Sequence, residues 1–304
     1  MAGSAGVTAT RLAGVELGGT KSIAVLTDGT TIGERFVVPT TTPQETLARL
    51  KAQLLAWHSH APLSAIGIAS FGPLQLAPER PGFGSILATP KPHWSGAAVA
   101  RALTDSVDCP WRIDTDVNGA ALAEYRWGAG RDCDTLCYVT IGTGLGGGLL
   151  IGGRAVHGAM HPEIGHLRLR RAPGDDFAGA CPFHGDCIEG LIAGPALAAR
   201  FGADPATVPD DHPAWRHIAF DLAELTGAIL LAVSAERILF GGSVALSRSF
   251  LLPEVRRLTV ARLGAYLPFL TAETAAEIIL SAALGPDAGP MGAVALALAA
   301  LESA

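Results

Sequence analysis

The residue pattern predicts an α/β protein of two lobes built on one repeated plan. Two observations carry this expectation. The chain has 304 residues, more than one typical domain, so it is expected to divide. A series of strand, glycine turn, strand, turn and strand occurs near residues 14–38 and again near 135–156, and apolar strand-like runs then alternate with helical spacing after each copy. Hydrophobic residues make up 49% of the chain, enough for a sizeable core in each half. The 37 glycines gather in short clusters, which marks tight turns rather than disorder.

In the first half, Val15 to Leu17 and Ser22 to Leu26 read as strands joined by Gly18-Gly19-Thr20-Lys21, a hairpin followed by a third strand. Gly18 and Gly19 would let the backbone approach a phosphate and Thr20 would add a hydroxyl donor, although an ordinary β-turn needs the same residues. Residues 43–60 carry Leu47, Leu50, Leu54 and Leu55 at helical spacing, with Thr42 as N-cap and Glu45 three residues later. LSAIGIASFGPL is a buried strand ending at Phe71-Gly72-Pro73, and ATPKPHW is a loop with Trp94 as a packing anchor ahead of a helix from about Ser95. PWRIDTDVNGAALAEYRWGAG is a strand and then a helix. The junction carries Asp114, Asp116 and Asn118: a carboxylate there suits a general base, while Asp116 or Thr115 also suits a helix cap.

In the second half, Leu136 to Ile141 is a strand, Gly142 to Gly148 a glycine-rich turn, and Leu149 to Ile151 a returning strand, with Gly152-Gly153 leading into Arg154 to Val156. Gly194-Pro195 opens a helix, and residues 213–236 and 247–264 are helical. Residues 236–246 hold a strand that ends in Gly241-Gly242-Ser243, where backbone amides meet a helix N-terminus as a nucleotide site requires. The chain closes with a strand, a loop containing Gly285, Gly289 and Gly292, and an apolar helix.

A net charge of -6 provides no general attraction to nucleic acid. Five cysteines at uneven spacing argue against a disulfide framework. The first residues lack a charged segment followed by an apolar one, so no secretory leader is expected. The most apolar long run, around residues 219–243, is interrupted by Asp221, Glu224 and Glu236 and does not read as membrane-spanning. These features together predict a cytoplasmic protein with no nucleic-acid or membrane partner.

Residues 161–189 concentrate chemistry. His166-x14-Cys181-x2-His184-x2-Cys187 offers four nitrogen and sulfur ligands, a complete tetrahedral set for a structural zinc ion. Glu163, His166 and Glu189 are also placed to meet a polar ligand, and one histidine ring serves both readings if one nitrogen binds metal and the other donates outward. Asp175 and Asp176 read as a solvated loop, and His157 and His161 as exposed or locally hydrogen-bonded.

The ordered motifs ELGGTK, SFGP, ATPKPHW, DTDVNGAALAE, TIGTGLGGG, HPEIGH, CPFHGDCIEG, LFGGS and LGPDAGPMGA resemble the ROK family of sugar kinases and related repressors, nearly end to end from Gly14. ATPKPHW and HPEIGH with CPFHGDCIEGL resemble its bacterial fructokinase branch. The resemblance implies the two-lobed actin/hexokinase-like fold, a duplication of a ribonuclease-H-like unit with a zinc-binding loop. It implies a first lobe of residues 1–117 completed by the helix 289–304, and a second lobe of 118–288. Asp116 then matches the catalytic base. Gly18, Gly19, Thr20 and Lys21 match one phosphate loop, and Thr143, Gly144 and Gly146 the other. Gly241, Gly242 and Gly285 match the adenosine site. Gly72, Asp116, Glu163, His166 and Glu189 match sugar contacts. His166, Cys181, His184 and Cys187 match the zinc ligands.

Three departures stand out. Glu16 replaces the usual Asp before the first loop, at a position near magnesium or its water shell. Thr115 replaces the usual Asn before the base. The metal set has two His and two Cys, where many relatives have one and three.

The implied activity is phosphoryl transfer from MgATP to a hexose, with fructose 6-phosphate as product, in a homodimer. Glucokinase or mannokinase activity of broad specificity is the neighbouring expectation. A non-catalytic sugar-sensing repressor is the alternative of a different class; about a dozen residues precede the first strand, too few for a helix-turn-helix. A zinc-stabilised binding protein without catalysis is the third, and Asp116 with both phosphate loops argues against it.

Overall fold

The computed structural model describes residues 10–304; the first nine positions, part of the stretch expected to lack a leader, lie outside that range. In chain order the elements are β1 (Leu12–Leu17), β2 (Lys21–Thr27), β3 (Ile32–Pro39), α1 (Pro43–His60), β4 (Ala65–Ser70), α2 (Val99–Thr104), β5 (Trp111–Thr115), α3 (Asp116–Trp127), β6 (Leu136–Ile141), β7 (Leu145–Ile151) and β8 (Arg154–Ala155). They continue with α4 (Ile188–Ile192), α5 (Gly194–Phe201), α6 (Trp215–Val233), β9 (Arg237–Gly241), α7 (Gly242–Ser247), α8 (Leu252–Leu263), α9 (Ala275–Ile278), β10 (Ile279–Ser281) and α10 (Ala288–Glu302). The chain divides into a unit running to Gly119 plus Gly289–Ala304, and a unit of Ala120–Ala288.

Each unit holds a five-stranded mixed sheet, in the order β3-β2-β1-β4-β5 in the first and β10-β9-β6-β7-β8 in the second. The two orders are the same plan. In the first, β1 pairs antiparallel with β2 and parallel with β4, and β4 pairs parallel with β5. In the second, β6 pairs antiparallel with β7 and parallel with β9, which pairs parallel with β10. The duplicated hairpins legible in the sequence are therefore β1–β3 and β6–β8.

In the first unit β4 is buried along its whole length, as its unbroken apolar run requires of a central parallel strand. Helix α1 begins where Thr42 accepts the Glu45 amide, and it buries Leu47, Leu50, Leu54 and Trp57. Helix α10 completes this unit, and its contact with the sheet is set by missing side chains. A Cβ on Gly67 would collide with the Ala293 carbonyl, and one on Gly14 would press on Ala293. A Cβ on Gly289 would overlap the Glu16 carboxylate. Gly289 and Gly292 thus lie inside α10, not in the loop expected from their composition: close helix–strand approach, not turn formation, is what glycine provides there.

The second unit packs α6 and α8 over its sheet around Ile141, Leu197, Ile218, Leu222, Leu230, Phe240 and Val255. Its glycine turn is shorter than expected. β7 starts at Leu145, so Gly146, Gly147 and Gly148 are strand residues. A Cβ on Gly147 would occupy the space filled by Ile164, which explains glycine inside a strand. In the first unit the helix expected from Ser95 starts at Val99, because Gly96 adopts φ +79° and delays it. All five cysteines are free thiols.

Candidate active site and metal centre

Parallel strands present their C-terminal ends on one edge of a sheet, and the loops that leave that edge are where ligands gather. In the first unit the register aligns Leu17, Ser70 and Thr115 as one row across β1, β4 and β5. The residues that follow them are Gly18-Gly19, Phe71-Gly72 and Asp116, so three segments far apart in the chain leave the same edge. The Phe71 amide donates to the Leu17 carbonyl at 2.8 Å, tying the second segment to the first. Gly18 is held by Thr40, whose hydroxyl donates to the Gly18 carbonyl at 2.7 Å. Gly19, Thr20 and Lys21 are exposed.

Asp116 is the first residue of α3. The competing cap reading is resolved by its neighbours: Thr115 Oγ1 accepts the Asn118 amide at 3.1 Å, and Asp114 Oδ1 accepts the Thr115 amide and the Asn118 side chain at 2.7 and 2.8 Å. The helix start is thereby supplied without Asp116, whose Oδ1 accepts the Val117 amide at 2.9 Å. Although the residue retains some solvent contact, burial pushes its carboxyl from the ordinary 3.8 up to about 6, against the lowering effect of the Val117 amide. Such a group is ionised at neutral pH and still basic enough to take a proton. Thr115, buried and engaged with Asn118, has its hydroxyl turned to the helix.

The second unit repeats the arrangement. Val139, Phe240 and Ser281 align across β6, β9 and β10, and the turns that follow carry Gly142-Thr143-Gly144, Gly241-Gly242 and Gly285. Thr143 and Gly144 are exposed, while Gly146 lies within β7 opposite Thr140. Gly242 has φ +83° and Gly285 φ +53°, conformations that favour glycine. A Cβ on Gly241 would collide with the Tyr138 hydroxyl. The Gly285 turn is anchored by Glu124, a fully buried carboxylate that no motif reading singled out. It accepts amides of Ala129, Ala283 and Leu284 at 2.8, 3.2 and 2.8 Å. The signal was present in the sequence as an acid inside an apolar helix, but two of its three partners lie about 160 residues away.

Glu189, at the start of α4, accepts the Leu145 amide at 3.0 Å, which places it beside Gly144. Glu163 is exposed, with His161 Nδ1 3.3 Å from its Oε1; His161 itself is buried. His166 ends a short 3-10 turn, Ile164–His166. Its Nδ1 lies 3.8 Å from Cys181 Sγ and 3.6 Å from Cys187 Sγ, and His184 Nδ1 lies 3.8 Å from Cys181 Sγ. All four candidate ligand atoms fall within 4.8 Å of one another. Zinc bond lengths of about 2.3 Å to sulfur and 2.0–2.1 Å to nitrogen at tetrahedral angles require S···N separations of about 3.6 Å, so the donor set fits a single ion.

Backbone geometry builds this cage. Cys181 and Gly185 exchange amide–carbonyl hydrogen bonds at 3.1 and 2.9 Å, and the Ile188 amide donates to Leu167 at 2.9 Å, joining the His166 turn to Cys187. Burial pushes the Cys187 thiol up to about 11, a value that a divalent cation would reverse.

Asp175 departs from its expected solvated setting. Its side chain is 3% exposed and accepts from Arg171 at 2.9 Å and Arg200 at 2.8 Å. Burial works against its ionisation, but hydrogen bonds from those two arginines outweigh it and hold the carboxyl below its ordinary value. Asp176 is exposed. Among the described residues, no helix is long and apolar enough to cross a membrane.

A model of the ROK family matches residues 12–300. A fructokinase of Zymomonas mobilis subsp. mobilis is 44% identical over 298 residues, spanning 94% of this chain and 96% of that protein. Among solved structures, a ROK hexokinase from Thermus thermophilus is similar with a TM-score of 0.77 at 26% identity, over 97% of this chain and 100% of that one. A ROK family glucokinase from Streptomyces griseus, in complex with glucose and AMPPNP, is similar with a TM-score of 0.73 at 25% identity, over 95% and 99%.

Proposed function

The chain belongs to the ROK family, and from that premise we propose that it is an ATP-dependent hexose kinase that converts D-fructose to fructose 6-phosphate. The observation that carries this reading is Asp116: an acid left out of the helix cap, at the end of a parallel strand, with its carboxyl raised to about 6. Full-length likeness to a fructokinase supports the choice of sugar.

Phosphoryl transfer needs positioning and charge compensation more than covalent participation by the protein. Asp116 accepts the proton of the sugar hydroxyl as that oxygen bonds to phosphorus and the bond from phosphorus to the departing nucleotide breaks. Gly18, Gly19, Thr20 and Lys21, and Thr143, Gly144 and Gly146, offer amides, two hydroxyls and an ammonium to phosphate oxygens. Gly241, Gly242 and Gly285 belong to the turns that would receive adenosine, and Gly285 has open space where a Cβ would stand. Glu163, His166 and Glu189, with Gly72, orient the sugar. Magnesium bound with the nucleotide would neutralise phosphate charge, and Glu16 would be the carboxylate of this chain to meet its water shell. His166, Cys181, His184 and Cys187 would hold a structural zinc that stiffens the segment bearing the sugar contacts, with no position left for catalytic water. A cytoplasmic location and a homodimeric state belong to this reading through the family alone.

The experiment is an ADP-coupled assay with MgATP and a panel of fructose, glucose and mannose. Fructose is expected to have the highest kcat/KM, and Asp116→Asn is expected to lower kcat by at least about 100-fold, the lower end of general-base contributions. Preference for glucose would remove the fructose assignment and leave the kinase. No transfer to any hexose would remove the kinase itself.

A further inference from the structure

The loop ATPKPHW has a cation with no role in the reading above. Lys91 is one of three lysines, and its side chain reaches back to the turn that precedes Lys21. The Lys91 ammonium donates to the Gly19 carbonyl at 2.5 Å and lies 5.9 Å over the Phe71 ring. It therefore sits between two of the three strand-end segments of the first unit: the Gly18-Gly19 turn after β1 and the Phe71-Gly72 turn after β4.

The loop is built to hold it there. Trp94 is fully buried, donates its indole N–H to the Thr41 carbonyl at 2.8 Å, and meets Phe71 edge-on with ring centroids 5.1 Å apart. The Thr89 amide donates to Ser95 Oγ at 3.1 Å, and the Lys91 amide to Thr89 Oγ1 at 3.4 Å. His93 is held at φ +71°, a strained conformation for a residue with a side chain, of a kind that persists where surrounding structure dictates it. Lys91 itself is only half-buried, so its end can turn without breaking these anchors.

An ammonium has three donors, and a backbone carbonyl is a weak acceptor beside a phosphoryl oxygen, which carries formal charge and makes shorter, stronger bonds to a cation. Gly19 and Thr20 are exposed at the same turn, so a charged oxygen that reaches this turn would compete with the Gly19 carbonyl for the ammonium.

We propose that Lys91 is a catalytic residue: its ammonium leaves the Gly19 carbonyl and binds the phosphoryl group as it passes from ATP to the sugar. The inference rests on the kinase reading and adds a residue to it. Lys91 forms no covalent bond and gives up no proton; the sugar proton goes to Asp116, and the electron pair of the breaking bond stays on ADP. Its contribution is greatest when charge spreads over the equatorial oxygens, so it acts on the transition state more than on bound substrates.

The test compares wild type, Lys91→Met and Lys91→Arg in the fructose assay. It also compares binding of ADP alone with binding of ADP plus aluminium fluoride in the presence of fructose, a mimic of the phosphoryl group in transit. Lys91→Met is expected to lower kcat by about 100-fold or more, in line with loss of one preorganised donor, while KM for fructose stays within about threefold. Affinity for ADP should be unchanged, and affinity for the aluminium fluoride complex should fall by a factor similar to that in kcat. Lys91→Arg should recover part of both losses.

The proposal is overturned by a Lys91→Met kcat within threefold of wild type. A raised KM for fructose at unchanged kcat would make Lys91 a sugar contact, and equal weakening of both nucleotide states would make its role structural. If Lys91→Met fails to fold, Lys91→Arg decides: selective weakening of the aluminium fluoride complex supports the proposal, and wild-type affinity for it together with wild-type kcat sinks it. Absence of turnover in the wild type would refute the kinase reading and this inference together, whereas an active wild type with an unaffected Lys91→Met refutes Lys91 alone.

Discussion

Asp116 illustrates how a side chain is freed for chemistry. The β5–α3 junction needs a cap, and Thr115 and Asp114 supply it, leaving Asp116 with a carboxylate that burial makes basic. Two consequences follow from its value of about 6. First, kcat/KM should fall about tenfold per pH unit below pH 6 as the base becomes protonated; a profile flat down to pH 5 would remove this assignment. Second, a carboxyl whose pKa is higher in the folded than in the unfolded chain favours folding at low pH, and that advantage is lost as pH rises from about 4 through 6. Ionised Asp116 therefore destabilises the protein at pH 7.5. Asp116→Asn should be more stable than wild type at pH 7.5 and gain little at pH 4. A rise from 3.8 to about 6 sets an upper limit of about 3 kcal/mol, reduced by the solvent contact the residue retains. Thermal melts of both proteins at the two pH values make the check.

The loop between His166 and Cys181 is tied to α5 and α6 by charge, beside the apolar contacts of Leu169 and Phe177. Asp175 bonds to Arg171 and Arg200, and His217 Nδ1 lies 3.7 Å from it. Asp221 of α6 is in the same cluster and behaves oppositely. Arg200 Nη2 is 3.8 Å from its Oδ2, too far for a hydrogen bond, and both carboxylate oxygens are buried without one. Burial pushes Asp221 up to about 7; Arg200 opposes the rise, Asp175 reinforces it, and Arg171 and Glu224 act more weakly in those respective directions.

Two buried acids a helix apart should then respond differently to neutralisation. Asp175→Asn should destabilise by about 3–5 kcal/mol at pH 7.5, because it removes the charge partner of the buried Arg200 guanidinium. Asp221→Asn should be neutral or stabilising at pH 8 and should flatten the loss of wild-type stability between pH 4 and 7, the window in which the raised carboxyl deprotonates on unfolding but not in the folded state. Denaturant titrations across that range test the pair; equal destabilisation by both variants at pH 8 would contradict the assignment.

The whole chain is one topology used twice, and each copy presents its chemistry at the C-terminal ends of three neighbouring parallel strands. Among the described residues, only the second copy carries a cluster that could hold a metal ion. Purified protein is expected to contain about one zinc per chain, and its removal by a chelator should act unevenly. Amide exchange protection should fall within residues 120–288, first around 161–189, while β1, β4 and β5 keep theirs. Protection lost equally from both units would show that the cage is not a local support, and protein that is folded, active and free of zinc would remove the metal site.

Much of this was legible from residue order, because it depends on local chemistry. Hairpins announce themselves by apolar runs around glycine, α1 by leucine spacing and the Thr42 cap, and the cage by ligand type and count. Those signals also marked Asp116, but could not separate base from cap, because the difference lies in which neighbour accepts the Asn118 amide. Five residues needed the tertiary structure. Gly147 and Gly289 look like turn residues until Ile164 and Glu16 occupy the space a Cβ would take. Asp175 looks solvated until Arg200, from a later helix, reaches it. Glu124 and Lys91 act through partners about 160 and 72 residues away. The sequence by itself determined the repeated plan and the chemical inventory, since periodicity and side-chain type act over a few residues. Only the tertiary structure decided which of those groups meet, since burial, pKa and hydrogen-bond partnership arise from segments that parallel strand pairing brings to one edge.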